Sequence, residues 1–130
     1  MSWLQSCEAL SIVVVDDELS FRTSLSEMLR DDGHRVLEYG DPATVPETLS
    51  LPGLALLVTA YDMPGQNGLV VAEGFRRAHP TVPALILTSY DSEALAHVTR
   101  GRPFVRLVQR PIAYDRLHAM IHQVGAHASA

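Results

Sequence analysis

The sequence predicts an α/β fold: a doubly wound, five-stranded parallel sheet with strand order 2-1-3-4-5 and helices on both faces. Three apolar runs, at 12–15, 54–58 and 84–87, are typical of parallel strands that are buried on both sides. Two further runs, at 34–39 and 104–109, mix polar with apolar residues, as strands at the edges of a sheet do. Amphipathic helical patterns lie between these runs, and this alternation indicates β/α units in series.

The helices are predicted from apolar residues that recur at helical spacing. These residues, which we expect to face the core, are Phe21, Leu25, Met28 and Leu29 in the first helix, Val71, Phe75 and Ala78 in a later one, and Leu117, Met120, Ile121 and Val124 in the last. Gly33 stands where a glycine commonly ends a helix. Five β/α units, in which the second and fifth strands contain polar residues, favour the flavodoxin-like arrangement of a doubly wound sheet.

The 130 residues are enough for one domain with its own core. We expect an N-terminal extension at 1–10, one domain at 11–124 and a flexible C-terminal tail at 125–130. The sequence shows no repeat, no linker and no second domain, so we expect any output to pass through the surface of this domain.

Composition and charge argue against several classes of function. The net charge is −5 and no basic patch is evident, which disfavours direct binding to nucleic acid. No apolar run approaches the length of a membrane span, and the N-terminus lacks the features of a signal peptide. Cys7 is the only cysteine, which excludes an intrachain disulfide and fits a reducing compartment. We therefore expect a cytoplasmic protein.

Polar residues with chemical potential follow the first strand. Asp16 and Asp17 are adjacent carboxylates, and such a pair repels and raises its own pKa values unless a cation lies between the two groups. Carboxylate oxygens suit Mg²⁺. Alternatively, one of the two aspartates caps the first helix. Both interpretations stay open at this point.

The other strands end in residues of contrasting chemistry. The third strand ends at Ala60, which carries no reactive group, the fourth ends in the hydroxyls of Thr88 and Ser89, and the fifth ends at Arg110 before a proline. In open α/β sheets, ligand chemistry gathers beyond the carboxyl ends of the strands. We therefore expect an acidic pair, a methyl group, a hydroxyl and a guanidinium to face one crevice. Arg110 is long enough to reach the acidic pair, so we expect its guanidinium to lie toward these carboxylates and to lower the pKa of the carboxylate with which it pairs.

Taken together, the motifs "VVVDDE", "MPGQNG", "LTSYDS" and the X-Pro after the fifth strand resemble the receiver domain of two-component response regulators, of the CheY-like kind. The resemblance covers about residues 10 to 124. It implies that Asp16 and Asp17 correspond to the acidic pair that holds Mg²⁺ in that family. It also implies that the backbone carbonyl of Asp62 corresponds to a third metal ligand, and that Ala60 occupies the position of the phosphate-accepting aspartate.

The resemblance further implies that Thr88 corresponds to the family's hydroxyl residue, Arg110 to its lysine and Leu107 to its aromatic switch residue. A methyl group cannot attack phosphorus, since acyl-phosphate formation needs a carboxylate oxygen. Arginine does not replace lysine without consequence, and leucine cannot make the contacts of an aromatic switch. Mg²⁺ binding should also be weak, because one carboxylate is missing. No other cofactor is expected.

These departures lead to the prediction of a stand-alone pseudo-receiver that is not an enzyme and signals by protein–protein contact. The resemblance implies that its partner is a sensor histidine kinase, a phosphotransferase or another receiver. It also implies a contact face formed by the fourth helix, fifth strand and fifth helix, counted by β/α units, which could also form a homodimer. The alternative is a phosphoaccepting regulator in which position 60 was changed to alanine by engineering. A flavodoxin-like small-ligand binder is disfavoured, because "DDELS" replaces a phosphate-cradling glycine loop.

Asp62 and a pair of histidines are two further candidate sites. Asp62 as a displaced phosphoacceptor is disfavoured, because strand alternation and the following turn direct it away from the crevice. His118 and His122 have an i, i+4 spacing that can bind Zn²⁺. No third ligand is evident in the sequence, and a solvated helix face is the simpler interpretation.

Overall fold

The computed structural model describes residues 9–46, 49, 53–91 and 93–129, with side chains as far as Gly125. The predicted extension is outside this description at 1–8, which includes Cys7. The elements are, in chain order, β1 (Ser11–Val15), α1 (Leu19–Asp31), β2 (Arg35–Tyr39), a 3-10 turn (Pro42–Thr44), β3 (Leu54–Ala60), α2 (Gly68–Ala78), β4 (Ala84–Thr88), α3 (Ala96–Thr99), β5 (Val105–Gln109) and α4 (Tyr114–Ser129).

The five strands form one parallel sheet in the order β2-β1-β3-β4-β5, which confirms the predicted fold class. Each predicted strand is present within two residues of its expected ends. The two strands with mixed composition, β2 and β5, lie at the edges, where one side of the backbone meets no neighbouring strand. The three apolar strands occupy the centre, and their side chains are almost fully buried.

The core has two layers, one on each face of the sheet. On one face, Ile12 and Val14 of β1 pack with residues of α1 and α4 such as Leu29 and Ile121. On the other face, Val13 and Val15 pack with residues of α2 and α3. Alternate residues of one strand therefore serve opposite layers, as the two-residue repeat of a strand requires. Each fully buried aliphatic side chain contributes about 1.5–3 kcal/mol to folding.

Two residues of the predicted helical stripes lie outside the core. Met28 is 38% exposed, because the buried face of α1 is centred on Leu25, Leu29 and the neighbouring Ser26. At 100° per residue, Met28 lies about a quarter-turn or more away from that centre. Ala78 is the last residue of α2 and is exposed. The expectation that these two residues pack in the core was wrong.

The ends of the domain differ from the predicted boundaries. Leu10, which was assigned to the extension, is 4% exposed and belongs to the core layer with α1 and α4. Helix α4 continues to Ser129, so the boundary predicted at 124 falls inside this helix. Gly125 lies against Leu10, where a Cβ atom would be 2.8 Å from Leu10 Cδ1. A side chain at this point would require Leu10 to shift.

Two further observations concern the helices. Gly33 follows α1 with φ +94°, and its N–H bonds the carbonyl of Arg30, which confirms the predicted cap glycine. No helix in the described part of the chain is long and apolar enough to span a membrane.

Candidate functional site

The carboxyl ends of the central strands meet at one edge of the sheet. Ala60 is paired with Leu87 near the end of β4, and Thr88 is paired with Gln109 at the end of β5. Asp16 follows β1 directly, and its backbone N–H bonds the carbonyl of Tyr39. Asp16, Ala60 and Thr88 are 2%, 1% and 1% exposed, so the floor of this crevice is closed to bulk water.

A salt bridge crosses the crevice. Arg110 Nη1 donates to Asp16 Oδ2 at 3.2 Å, and the side chains are 25% and 3% exposed, respectively. The guanidinium also lies over the ring of Phe21, 4.9 Å from its centroid. We expected Arg110 to turn toward the acidic pair, and the contact with Asp16 confirms this. Asp17 is exposed.

The second carboxylate oxygen of Asp16 is also occupied. Asp16 Oδ1 accepts a hydrogen bond of 2.9 Å from the backbone N–H of Glu18. Glu18 itself is the N-cap of α1, and its side chain accepts from the N–H of Phe21 at 3.1 Å. The alternative in which an aspartate caps this helix was therefore wrong, because Glu18 takes that position. Asp16 instead holds the turn that leads into the helix.

Burial raises the pKa of Asp16 above its usual value. The bond from the Glu18 N–H and the charge of Arg110 act in the opposite direction but do not outweigh the loss of water, and Asp17 raises this pKa further. We had expected the ion pair to lower the pKa of the carboxylate. That expectation was wrong in its net sign, because the carboxylate is nearly inaccessible to water while its partner is one-quarter exposed.

Arg22 also supports Asp16, and no pattern in the sequence indicated this contact. Arg22 Nη1 donates to the backbone carbonyl of Asp16 at 2.8 Å, and Nε pairs with Glu38 Oε1 of β2 at 3.2 Å. Arg30 bonds the other oxygen of Glu38 at 3.0 Å. A Cβ at Gly40 would be 2.6 Å from Arg22 Nη1, so this glycine leaves room for the observed position of the Arg22 side chain.

The hydroxyl of Thr88 is engaged in a local turn. Thr88 Oγ1 accepts a 3.0 Å hydrogen bond from the N–H of Tyr90, and the Thr88 carbonyl accepts from the N–H of Arg110. Ser89 is exposed. Leu107 is paired with Ile86 inside the sheet and packs in the core layer with α2 and α3. Leu107 therefore lies further back along β5 than the strand ends that form the crevice.

The turn after β3 approaches the crevice closely. The N–H of Gly68 bonds the carbonyl of Tyr61 at 2.8 Å, and a Cβ at Gly68 would overlap the carbonyl oxygen of Ala60. Glycine is therefore required where α2 begins. Asp62 is exposed in this turn. Its exposed side chain agrees with the expectation that Asp62 points away from the buried floor around Ala60.

The residues in this crevice do not fit a Mg²⁺ site. Ala60 supplies no oxygen from its side chain, and Arg110 already pairs with Asp16, which is the only buried carboxylate among the residues that the structure describes. Within the ranges that the structure describes, no group of three or more His, Cys, Asp or Glu residues could hold a metal ion. His118 and His122, whose ring centroids are 6.5 Å apart, therefore also belong to no such group. We therefore derive no chemistry from a bound metal.

A sequence profile described as "Response regulator receiver domain" matches residues 12–122, which is most of the chain. The chain belongs to this family. Among curated relatives, the receiver domain is 29% identical over 123 residues to the cyclic di-GMP phosphodiesterase response regulator RpfG of Xanthomonas campestris, covering 91% of this chain and 32% of the relative. It is 30% identical over 112 residues to the transcriptional regulatory protein FixJ of Bradyrhizobium diazoefficiens, covering 85% of this chain and 54% of the relative.

Solved structures support the same fold. A receiver domain protein from Clostridium thermocellum superposes with a TM-score of 0.79 at 20% identity, covering 91% of this chain and 95% of the other. The chemotaxis protein CheY4 of Vibrio cholerae gives 0.78 at 19% identity, with 89% and 98% covered. The receiver domain spans 32% and 54% of the lengths of RpfG and FixJ, so the phosphodiesterase and transcriptional activities in those names are said of those proteins only.

Proposed function

We propose that this domain is a pseudo-receiver of two-component signalling, which is not phosphorylated at position 60 and acts by protein–protein contact. One observation carries the proposal: the buried residue at the tip of β3, where the resemblance implies the phosphate-accepting aspartate of the family, is Ala60. Transfer of a phosphoryl group needs a carboxylate oxygen as nucleophile, and a methyl group has none. The Arg110–Asp16 salt bridge supports the proposal, because it supplies a counter-charge in a crevice that does not fit Mg²⁺.

The partner that we propose is a sensor histidine kinase, a phosphotransferase protein or another receiver, including a second copy of this chain. It would dock on the face formed by α3, β5 and α4. This face contains a groove of about 860 Å³, lined by Phe104, Leu107 and Val124 with Arg76 and Arg106 beside them. We call it the docking groove. Arg76 lies over the ring of Phe104, 4.3 Å from its centroid.

The distribution of charge favours an acidic partner surface at this groove. The full chain is acidic, yet residues 76–130 carry seven of the ten arginines and only three of the fifteen acidic side chains. All the residues that line the groove belong to this basic C-terminal segment. Complementary charge steers association and fixes the orientation of partners. Apolar lining with arginines around it is also the composition from which interface hot spots are commonly made.

Phosphorylation is tested with acetyl phosphate and Mg²⁺, followed by intact mass measurement. We expect no mass change in the native sequence. The double variant Ala60→Asp with Arg110→Lys serves as the positive control, because it restores the nucleophile and an ammonium group. A phosphoryl adduct on the native protein that maps to the peptide 58–68 would contradict the proposal and would make Asp62 the suspected acceptor.

The docking face is tested by charge reversal. Arg106 and Arg116 are exposed on β5 and α4, and Arg35 is exposed on β2 at the opposite edge of the sheet. We expect Arg106→Glu and Arg116→Glu to weaken self-association in sedimentation velocity, or binding to the receiver-docking domain of a histidine kinase, while Arg35→Glu leaves both unchanged. If all three variants behave alike, the interface lies elsewhere.

A further inference from the structure

A cluster of histidines lies away from the crevice, where the turn after α1 meets α4. His34 is 5% exposed, and its Nδ1 accepts a 2.9 Å hydrogen bond from the backbone N–H of Leu10. Its other nitrogen, Nε2, lies 2.8 Å from Nε2 of His118 on α4. These two residues are 84 positions apart in the sequence. A single contact between two imidazoles therefore joins the start of β2 to the last helix.

The proton positions in this pair follow from its partners. A backbone N–H can only donate, so His34 Nδ1 carries no proton, and in the neutral ring the proton must be on Nε2. His34 Nε2–H then donates to His118 Nε2, which must be unprotonated and leaves the proton of His118 on Nδ1. Both rings are thus neutral, each in one tautomer. A proton added to His118 Nε2 would set N–H against N–H and break the contact.

A second partner for His118 is already in place. Asp32 Oδ2 lies 3.8 Å from His118 Nε2, and the hydroxyl of Tyr114 holds the same oxygen with a 2.7 Å hydrogen bond. Asp32 is also the C-cap of α1, at the end of the helix that attracts positive charge. Tyr114 stacks on the His118 ring, with 5.5 Å between centroids and a 17° tilt. A protonated His118 would therefore meet a carboxylate, a helix C-terminus and a ring face.

We propose that His34 and His118 form a proton-sensitive latch: the neutral pair ties α4 to the turn before β2, and protonation of His118 releases His34 and moves His118 to Asp32. The step is balanced, because one solvent proton is taken up at His118 Nε2 and one N–H···N hydrogen bond is exchanged for an N–H···O bond to the carboxylate. The charged groups that face the pair are Asp32 at the end of α1 and His122 on α4, with Asp31 beside Tyr114.

The direction of the pH effect agrees with this geometry. Burial lowers the pKa of His34 below its ordinary value of 6.5, the neighbouring His118 and His122 lower it further, and Asp32 opposes the shift. Because the unfolded chain then takes up the proton first, stability is complete above this ordinary value and is lost as the pH falls below it. The lowered pKa keeps His34 in the neutral form, which is the form that its contact with His118 requires.

Opening would also reach the docking groove, because Val124 on α4 lines it. This consequence rests on the proposed function, whereas the latch itself does not. The experiments below use the free domain without a partner. Their failure would leave the docking proposal intact, and failure of docking would leave the latch intact.

The first experiment observes the protons directly in the native protein. Long-range ¹⁵N–¹H correlation spectra at about pH 7.5 report the tautomer of each ring. We expect His34 to be protonated on Nε2, His118 on Nδ1, and a scalar coupling to join the two Nε2 nuclei. A proton on Nδ1 of His34, or the absence of a coupling between the two Nε2 nuclei, would overturn the proposal.

The second experiment measures the response of α4 to acid. Hydrogen exchange, corrected for the intrinsic pH dependence, is compared at about pH 7.5 and about pH 5.5 for amides of α4 and α2. We expect roughly a tenfold loss of protection in α4 relative to α2. His118→Gln keeps an acceptor for His34 but cannot take up a proton, so the loss should disappear. His97→Gln on α3 is the matched control and should behave as the native chain.

Loss of protection in His118→Gln equal to that of the native protein would overturn the latch. Should that variant not fold, the tautomer measurement still decides. Zinc chloride and EDTA are added in separate native samples, and we expect no change in melting temperature. A rise with zinc would mean that the cluster is a metal site instead, and the latch would be rejected.

Discussion

Replacing Ala60 with aspartate tests the interpretation of the crevice most directly. Ala60 is 1% exposed, and Arg110, whose guanidinium reaches into the crevice, already pairs with Asp16. A second buried carboxylate would have no counter-charge of its own. We therefore expect Ala60→Asp to destabilise the metal-free domain and to create a response to Mg²⁺ that the native sequence lacks.

The magnitude follows from burial and distance. Two carboxylates about 5 Å apart repel by about 3 kcal/mol at an effective dielectric constant near 20. Protonation of one carboxyl limits the penalty at pH 7 to about 4 kcal/mol, because each pKa unit corresponds to about 1.4 kcal/mol. An expected loss of about 3 kcal/mol corresponds to a fall of about 10 °C in melting temperature for a chain of this size.

Mg²⁺ should then restore most of that loss by mass action on the folded state. At a concentration about 100 times the dissociation constant, binding contributes about 2.7 kcal/mol, or about 8 °C. The assay is calorimetry or circular dichroism at neutral pH, with and without Mg²⁺. Ala60→Asn is the control, because its side chain has nearly the same volume without the charge. It should lose less stability and should not respond to Mg²⁺.

Two results would refute this reasoning. A native domain that gains several degrees from Mg²⁺ has a working metal site despite Arg110 and Ala60. Equal losses in Ala60→Asp and Ala60→Asn would mean that volume, and not charge, governs the crevice. Either result would remove the main support for a counter-charge role of Arg110.

Two other predictions concern the supports of the crevice. Gly68→Ala should destabilise the domain by more than about 3 kcal/mol in urea unfolding, because its Cβ would overlap the carbonyl at the end of β3. The control Gly74→Ala, inside the same helix, should stabilise the domain by about 0.5–1 kcal/mol. Equal effects of the two substitutions would contradict the close approach of Gly68 to β3. Arg22→Ala should lower the free energy of unfolding by about 1.5–3 kcal/mol in the same assay, because a charged donor to the carbonyl of Asp16 is lost. Glu38→Gln should lower it less, because that donor stays. The reverse order would show that the ion pair of Arg22 with Glu38 on β2 contributes more than the hydrogen bond to Asp16.

The fold could be predicted because the composition of each strand indicates whether that strand lies at the centre or at the edge of the sheet. Strand β4 is apolar from Ala84 to Leu87, as is typical of a central parallel strand that is buried on both faces, while β5 carries Arg106 and Gln109, as is typical of an edge strand. The contact of Arg110 with Asp16 could also be predicted, because parallel strands bring their carboxyl ends together and opposite charges attract across a short gap. Each of these inferences needs only the chain and the geometry of a sheet.

What could not be predicted depends on how completely the tertiary structure excludes water. The net pKa shift of Asp16 reverses sign because its carboxylate is nearly inaccessible, and no local pattern reveals that degree of burial. The contact of His34 with His118 joins residues from distant parts of the chain. The spacing of His118 and His122 alone had favoured a solvated helix face over a metal site, and it gave no indication of His34. Met28 fell outside the core because Ser26 shifted the buried face of its helix.

Arg110 makes two contacts that a lysine could not make together. Its planar guanidinium donates to Asp16 with one nitrogen while its face lies over Phe21, whereas an ammonium is a point charge without a face. The arginine is therefore fixed by α1 as well as by β1. Arg110 is a counter-charge that belongs to the chain and does not dissociate as a metal ion can. If the domain is a pseudo-receiver as we propose, a signal that changes it acts elsewhere, and the docking groove and the contact of His34 with His118 are the two places that we propose.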